Sequence, residues 1–138
     1  MTQFRISEAA ALLGVSDDTV RRWAEQGRLT LSRGANGMQV VEGVELVGLM
    51  AEHAGGSALA DAFPLARTSA RNHFIGLVTA VHRDGVMAQV ELQAGPFRVV
   101  SLMSREAADE LGLEPGVLAA ASAKATVVSI ELPRGATA

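Results

Sequence analysis

The sequence predicts an α+β chain, with a helical N-terminal part and a small β-barrel in the C-terminal half. Two observations carry this prediction. Apolar residues follow a helical period over most of residues 4–53, and from Phe74 onward they follow the period of strands. Between these parts, residues 54–67 are small and turn-prone, which is typical of a linker. The expected domains are therefore residues 1–53 and 68–133, with residues 134–138 as a tail.

The composition indicates a soluble cytoplasmic protein. Hydrophobic residues make up 49% of the 138 residues, and the absence of cysteine excludes disulfides, thiolate metal sites and a cysteine nucleophile. No apolar run approaches the roughly 18 residues of a membrane helix, and the N-terminus lacks the apolar core of a secretory signal. The net charge of -3 argues mildly against nucleic-acid binding. A small DNA-binding domain can nevertheless be locally basic in an acidic protein.

Two short helices are predicted near the N-terminus. Ser7 can cap the first, over residues 8–13, and Gly14 suits the left-handed position that follows it. Ser16 can cap the second helix, which Gly27 is expected to end. The buried stripe of this second helix is expected to be Val20, Trp23 and Ala24.

A β-hairpin over residues 28–41 and a third helix over residues 42–53 complete the N-terminal part. Two short helices joined at a glycine and followed by a hairpin are the pattern of a winged helix-turn-helix. The residues expected to contact DNA are Ser16, Thr19, Arg21, Arg22, Arg33 and Asn36. The alternative is a solvated helix face, stabilised without DNA by the pairs Asp18–Arg22 and Arg21–Glu25.

A known family shares this pattern. The stretch Arg5-Ile-Ser-Glu-Ala-Ala-Ala-Leu-Leu-Gly-Val-Ser-Asp-Asp-Thr-Val-Arg-Arg-Trp23, followed by Gly27-Arg-Leu29, resembles the winged helix-turn-helix of the MerR and phage excisionase type. The resemblance covers about residues 4–53 and implies that double-stranded DNA is a partner.

The C-terminal half is predicted to be a barrel of short strands with one helix. Asp84-Gly85 signals a two-residue hairpin, and Ser104 can cap a short helix that ends at residues 111–112. The predicted strands are residues 74–82, 86–92, 97–103 and, as one or more strands, 117–132.

The same half carries donors for a small anion. Lys124 is the only lysine among the 12 basic residues of the chain. A tetrahedral oxyanion offers only acceptors, so its site needs ammonium, guanidinium, hydroxyl and N–H donors. Ser69 and Arg71 would project to one face of an extended strand, and Ser101 and Ser104 flank the start of the short helix. The alternative to an anion site is that Lys124 is an ordinary exposed lysine and that Ser69 and Arg71 only close a loop.

The donors lie in a known order. The stretches Ser69-Ala-Arg-Asn72, Gly76-Leu-Val78, Ser101-Leu-Met-Ser104, Glu110-Leu-Gly-Leu113 and Lys124-Ala-Thr126 resemble the molybdate-binding Mop or TOBE domains. The resemblance implies an OB-like barrel that binds molybdate or tungstate at subunit interfaces. The implied oxyanion-binding residues are Ser69, Ala70, Arg71, Ser101, Ser104, Lys124 and Ala125. The family often has serine where this chain has Ala125, so one hydroxyl donor is missing.

The combined prediction is a transcriptional regulator, not an enzyme, that binds DNA and responds to molybdate or tungstate. It is expected to form a homodimer or higher homo-oligomer through the C-terminal domain. No redox cofactor and no metal ion held directly by side chains are expected, because the three histidines are scattered. Two alternatives are an oxyanion storage or buffer protein and an excisionase-like architectural DNA binder whose barrel is degenerate.

Overall fold

The computed structural model describes residues 2–54 and 61–135. The chain divides into two compact units, Met1–Asp61 and Ala62–Ala138. Part of the predicted linker, at residues 55–60, and the end of the predicted tail, at residues 136–138, lie outside the described residues. In the described ranges, no helix combines the length and the apolar character needed to cross a membrane.

In its described residues, 2–54 and 61, the N-terminal unit combines three helices with a small sheet. Its elements are β1 (Gln3–Arg5), α1 (Ile6–Leu13), α2 (Asp17–Glu25), β2 (Ser32–Arg33), β3 (Gln39–Glu42) and α3 (Gly43–Ala54). The strands pair antiparallel in the order β1-β3-β2, so the predicted hairpin is present and β1 extends it into a sheet that was not predicted. The core is made of Ile6, Ala9, Ala10, Leu13, Val20, Trp23, Leu29, Val41, Leu46 and Leu49.

The first helix begins earlier than predicted. Arg5, not Ser7, is the N-cap residue, and the Glu8 carboxylate accepts a hydrogen bond from the Arg5 backbone N–H at 3.0 Å. A glutamate at the third helical position that bonds back to the cap is half of a capping box. That bond lowers the pKa of Glu8. Ser7 is wrong as a cap because β1 pairs with β3 and delivers the chain to α1 two residues sooner.

The second helix has the predicted start. The Ser16 hydroxyl accepts a hydrogen bond from the Thr19 backbone N–H at 3.2 Å. The helix ends at Glu25, and Gly27 follows with φ of 76°, where the Arg28 N–H bonds to the Trp23 carbonyl at 2.9 Å. This is a Schellman ending, which places glycine just beyond the helix. Val20 and Trp23 are buried, as predicted.

The C-terminal unit, as far as residue 135, is a curled antiparallel sheet with a short helix, α4. Its elements are β4 (Asn72–Asp84), β5 (Met87–Ala94), β6 (Phe97–Ser104), α4 (Arg105–Glu110), β7 (Leu118–Ala123) and a 3-10 turn at Ala125–Val127. The strand order is β6-β5-β4-β7. The core is made of Val78, Ala88, Val90, Leu92, Ala94, Ala108 and Leu113. The α+β class with an OB-like C-terminal sheet is therefore confirmed.

Two of the predicted boundaries in this unit are wrong. The β4–β5 hairpin turns at Gly85-Val86, not at Asp84-Gly85, because Asp84 still pairs with Met87 and Gly85 carries the positive φ of 52°. The last strand stops at Ala123 instead of reaching residue 132. The Val127 N–H bonds to the Lys124 carbonyl at 3.0 Å and winds the chain into the 3-10 turn.

Candidate anion-binding and nucleic-acid-binding sites

The register of β4 and β7 brings two predicted donors to one end of the sheet. Asn72 pairs with Ala123 as the last pair of this ladder, so Arg71 and Lys124 are the next residue on each strand beyond it. The Asn72 side-chain amide donates to the Ala123 carbonyl at 3.0 Å and ties the two chain segments together. Arg71 and Lys124 are both exposed. Two cationic residues, far apart in sequence, therefore lie at the same end of the β4–β7 ladder.

The segment before β4 is bent rather than extended. Ser69 lies at a bend, and β4 begins only at Asn72, so the predicted strand through Ser69 and Arg71 is wrong. Side chains impose the bend. The Thr68 hydroxyl accepts from the Ala70 N–H at 3.1 Å, and the His73 Nε2 lies 2.9 Å from the Ala70 carbonyl oxygen. Ser69 is exposed and Ala70 is buried.

Ser101 lies across a groove from the end of β7. The groove has a volume of about 450 Å³ and lies between β6 and β7, with Ser101, Ser122 and Ala123 among its lining residues. The rest of the lining is mostly valine, leucine, methionine and alanine. Ser101 therefore shares a cavity with the residues that immediately precede Lys124.

Ser104 is not part of this cluster within one chain. It pairs with Met87, which pairs with Asp84, at the opposite end of β4 from Asn72. Its hydroxyl accepts from the Ala107 N–H at 3.0 Å as the N-cap of α4, which confirms the predicted cap. The depression beside it is lined in part by Glu106, Asp109 and Glu110, which repel an anion.

The second helix of the N-terminal unit exposes the predicted paired arginines. Arg21 and Arg22 both face solvent, away from the buried Val20 and Trp23. Arg21 lies 3.4 Å from the Asp18 carboxylate, so the ion pair of this face is Asp18–Arg21 and not either pair expected from i,i+4 spacing. Arg21 also lines two surface grooves, of about 560 and 260 Å³, and Gln39 of β3 is common to both.

The remaining predicted DNA contacts make local hydrogen bonds. Ser16 and Thr19 cap α2, and their hydroxyl oxygens lie 3.0 Å apart. At the hairpin tip, the Arg33 guanidinium donates to the Gly37 carbonyl at 2.9 Å, and the Asn36 side-chain oxygen accepts from the Met38 N–H at 3.1 Å. These bonds fix the shape of the tip.

Two family models match the chain. Residues 68–130 match the TOBE domain, and residues 5–38 match the MerR family regulatory protein. The chain joins a MerR-family region to a TOBE domain. Both predicted resemblances are thereby confirmed, and neither matched family is enzymatic, which agrees with the prediction of a non-enzymatic protein.

Solved structures similar to the chain include three of molybdate-related proteins. A molybdate-binding protein from Sporomusa ovata is 24% identical, with 49% of this chain and 100% of that chain covered and a TM-score of 0.47. The cytoplasmic molybdate-binding protein ModG, solved with molybdate bound, is 39% identical, with 44% and 43% covered and a TM-score of 0.42. MopII from Clostridium pasteurianum is 34% identical, with 48% and 100% covered and a TM-score of 0.45. The chain thus spans less than half the length of ModG, and no curated protein gives a match.

Sequence reasoning missed several residues that shape the two regions. In the TOBE domain these are Thr68 and His73, whose hydrogen bonds bend the chain around Ala70. In the MerR-family region, the Arg28 guanidinium lies 4.4 Å from the centre of the Trp23 ring and 3.7 Å from the Glu52 carboxylate. The Arg28–Glu52 contact depends on the packing of α3, so no local signal in the sequence predicts it.

Proposed function

We propose that the protein is a cytoplasmic, DNA-binding transcriptional regulator that responds to molybdate or tungstate. One observation carries the proposal: a single chain joins a MerR-family region to a TOBE domain in which Arg71 and Lys124 emerge at the same end of one strand ladder. ModG, which is 39% identical to the part of the chain that it matches, is a cytoplasmic molybdate-binding protein. We propose residues 1–53 and 68–133 as the two functional domains.

The oxyanion would bind at the β4–β7 end of the TOBE domain. A molybdate dianion accepts hydrogen bonds and donates none, so it suits the Lys124 ammonium, the Arg71 guanidinium and the Ser69 hydroxyl. The Ala125 N–H can add a backbone donor. Ser101 lines the same groove as Ala123, whereas Ser104 lies at the opposite end of β4. The Ser104 hydroxyl would therefore reach this anion from a second copy.

The outer strands of the TOBE domain support such pairing. In the described part of the chain, β6 and β7 are the edge strands, and the apolar groove lies between them. Past the 3-10 turn, Val128, Ile130 and Leu132 alternate with polar residues and are exposed, Ile130 to 88%. An alternating apolar segment beside open sheet edges favours strand pairing with another chain. We therefore propose a homo-oligomer assembled through the TOBE domain.

The MerR-family region would supply DNA binding through α2 and the hairpin. The exposed Arg21 and Arg22 can neutralise phosphates or bond to guanine edges. The hairpin tip adds a third arginine, Arg33, whose guanidinium also donates to the Gly37 carbonyl. The anion would be held between two copies of the chain. It can change the affinity of the protein for DNA only if it binds the DNA-bound arrangement of the two copies more or less tightly than the DNA-free arrangement.

Calorimetry on the full chain tests the ligand. Molybdate, tungstate and sulfate are titrated separately, and we expect molybdate or tungstate to bind with a Kd well below millimolar. If no oxyanion binds more tightly than about 1 mM, which corresponds to about 4 kcal/mol, the proposed ligand is wrong.

A DNA-binding assay tests the other half of the proposal. Fragments from the promoter of the protein's own gene cluster are compared for the wild type and for the double variant Arg21→Ala, Arg22→Ala. We expect the double variant to lose affinity and its salt slope to fall by about 0.9 for each phosphate contact removed. The variant Arg98→Ala, Arg134→Ala removes the same charge from the other unit and is the matched control. Oxyanion binding without binding to any such fragment would instead indicate a storage protein.

A further inference from the structure

The centre of the Ser69–Arg71 segment is held from both sides by side chains. Ala70 is only 7% exposed. Its N–H donates to the Thr68 hydroxyl at 3.1 Å, and its carbonyl oxygen lies 2.9 Å from the His73 Nε2. Both backbone polar groups of Ala70 are therefore engaged by neighbours three residues away or fewer. In this structure the Ala70 N–H, which the family resemblance places among the anion donors, is bonded to Thr68.

The contact between the His73 Nε2 and the Ala70 carbonyl oxygen requires a hydrogen on Nε2. A carbonyl oxygen only accepts, so the Nε2 of His73 must carry the hydrogen. His73 itself belongs to β4 and pairs with Ser122 of β7. The bend is thereby attached to the same ladder that ends beside Lys124.

We propose that His73 and Thr68 are positioning residues for the oxyanion site. They hold the Ala70 peptide, so that the flanking Ser69 and Arg71 stay at the Lys124 end of the ladder before any anion arrives. A site whose donors are already placed binds more tightly, because less conformational freedom is lost on binding. The inference rests on the proposed function of this site and adds two residues that do not touch the anion.

The test uses molybdate calorimetry on the full chain with three histidine variants. His73→Leu removes the bond to Ala70 and is expected to weaken molybdate binding about 2- to 12-fold, the range expected for one net hydrogen bond. His73→Gln offers an amide N–H at similar reach and should restore affinity to within about twofold. His82→Leu changes an exposed histidine of the same strand and should leave affinity unchanged.

Thr68→Val checks the other side of the bend. It keeps the shape of the side chain, removes the acceptor for the Ala70 N–H, and lies outside β4, so it should weaken binding by a similar factor without lowering the unfolding temperature. If His73→Leu and Thr68→Val both bind molybdate like the wild type, the positioning role is wrong while the proposed ligand stands. Equal weakness of His73→Gln and His73→Leu would also overturn it. A wild type that binds no oxyanion would remove the proposed function and this inference together, and that result is read from the wild-type titration alone.

Discussion

Lys124 sits at the point where β7 ends and the 3-10 turn begins, and it is exposed. Its ammonium is a compact charge with three donors, which suits one oxygen of a tetrahedral anion. The next residue, Ala125, provides a backbone N–H but no hydroxyl. The proposed site is thus short of one donor at a defined position.

Ala125→Ser should strengthen oxyanion binding. The added hydroxyl can donate to the anion beside the Lys124 ammonium, and one such bond is worth about 0.5–1.5 kcal/mol, or about 2- to 12-fold in Kd. Molybdate calorimetry on the variant measures the gain. Thr126→Ser, which alters the neighbouring hydroxyl residue without adding a hydroxyl, is the control. Unchanged or weaker binding in Ala125→Ser would indicate that the anion does not lie near Ala125.

The Glu8 carboxylate predicts how acid affects the N-terminal unit. Its pKa is lowered by the hydrogen bond from the Arg5 N–H. A carboxyl whose pKa is lower in the folded state stabilises that state above its unfolded pKa, near 4.5, and loses this contribution as the pH falls through the folded pKa. Glu8→Gln should therefore melt at a lower temperature than the wild type at pH 7, and the difference should shrink in acid. A difference that grows on acidification contradicts this.

At the scale of elements, the N-cap of α2 can be tested directly. Ser16→Ala removes the acceptor of the Thr19 N–H and should destabilise the N-terminal unit by about 1 kcal/mol. Ser16→Asp restores a capping oxygen and should recover most of the loss. Urea unfolding followed by Trp23 fluorescence measures both, because Trp23 lies on the same helix and is buried. Equal stability of the wild type and Ser16→Ala would show that the cap contributes little.

Gly76 allows the backbone of β4 to approach the end of β5 closely. A Cβ there would collide with the Gln93 carbonyl and lie 2.8 Å from the Ala94 Cα. Gly76→Ala should cost about 1–3 kcal/mol or more, because backbone must move. Gly48→Ala, in α3, meets nothing within 4 Å and should stabilise its helix by about 0.5–1 kcal/mol. Denaturant titrations should show a lower free energy of unfolding for Gly76→Ala and a higher one for Gly48→Ala.

Local signals explain which elements the sequence predicts correctly. Ser16, Gly14 and Ser104 act within three residues of themselves, so their capping roles are visible in the chain order. The errors have non-local causes. Ser7 is displaced as a cap by the pairing of β1 with β3, whose paired residues are at least 35 positions apart. The last strand was predicted to reach residue 132 because Val128, Ile130 and Leu132 alternate like a strand, yet in the described chain they have no ladder to join.

In the candidate sites, too, the errors of the sequence-based prediction come from contacts that the order of the motifs does not show. The order of the motifs identifies Arg71 and Lys124 as anion donors. The β4–β7 register explains why these two residues lie at the same end of the ladder. The bend at Ala70 was not predicted, because side-chain bonds from Thr68 and His73 override the extended spacing. Ser104 was grouped with the donors by motif, but its strand register places it at the other end of β4.

For the whole molecule, association is expected to depend on the segment after the 3-10 turn. Ile130→Asp places a charge on an apolar residue that is 88% exposed and should convert the oligomer to a monomer. Val44→Asp makes the same change at a 75% exposed position of the other unit and should leave the mass unchanged. Sedimentation equilibrium measures the mass of each variant and of the wild type. An oligomer that persists in Ile130→Asp but not in Val44→Asp would place the interface in the N-terminal unit.

The central claim is that oxyanion binding and DNA binding are coupled in one chain. The most direct measurement is DNA affinity at fixed salt, with and without saturating molybdate, for the wild type and Lys124→Ala. We expect molybdate to change the DNA affinity of the wild type by about 5- to 150-fold, the usual range of coupling between sites, and to leave that of Lys124→Ala unchanged. The same DNA affinity for the wild type with and without bound molybdate would contradict it.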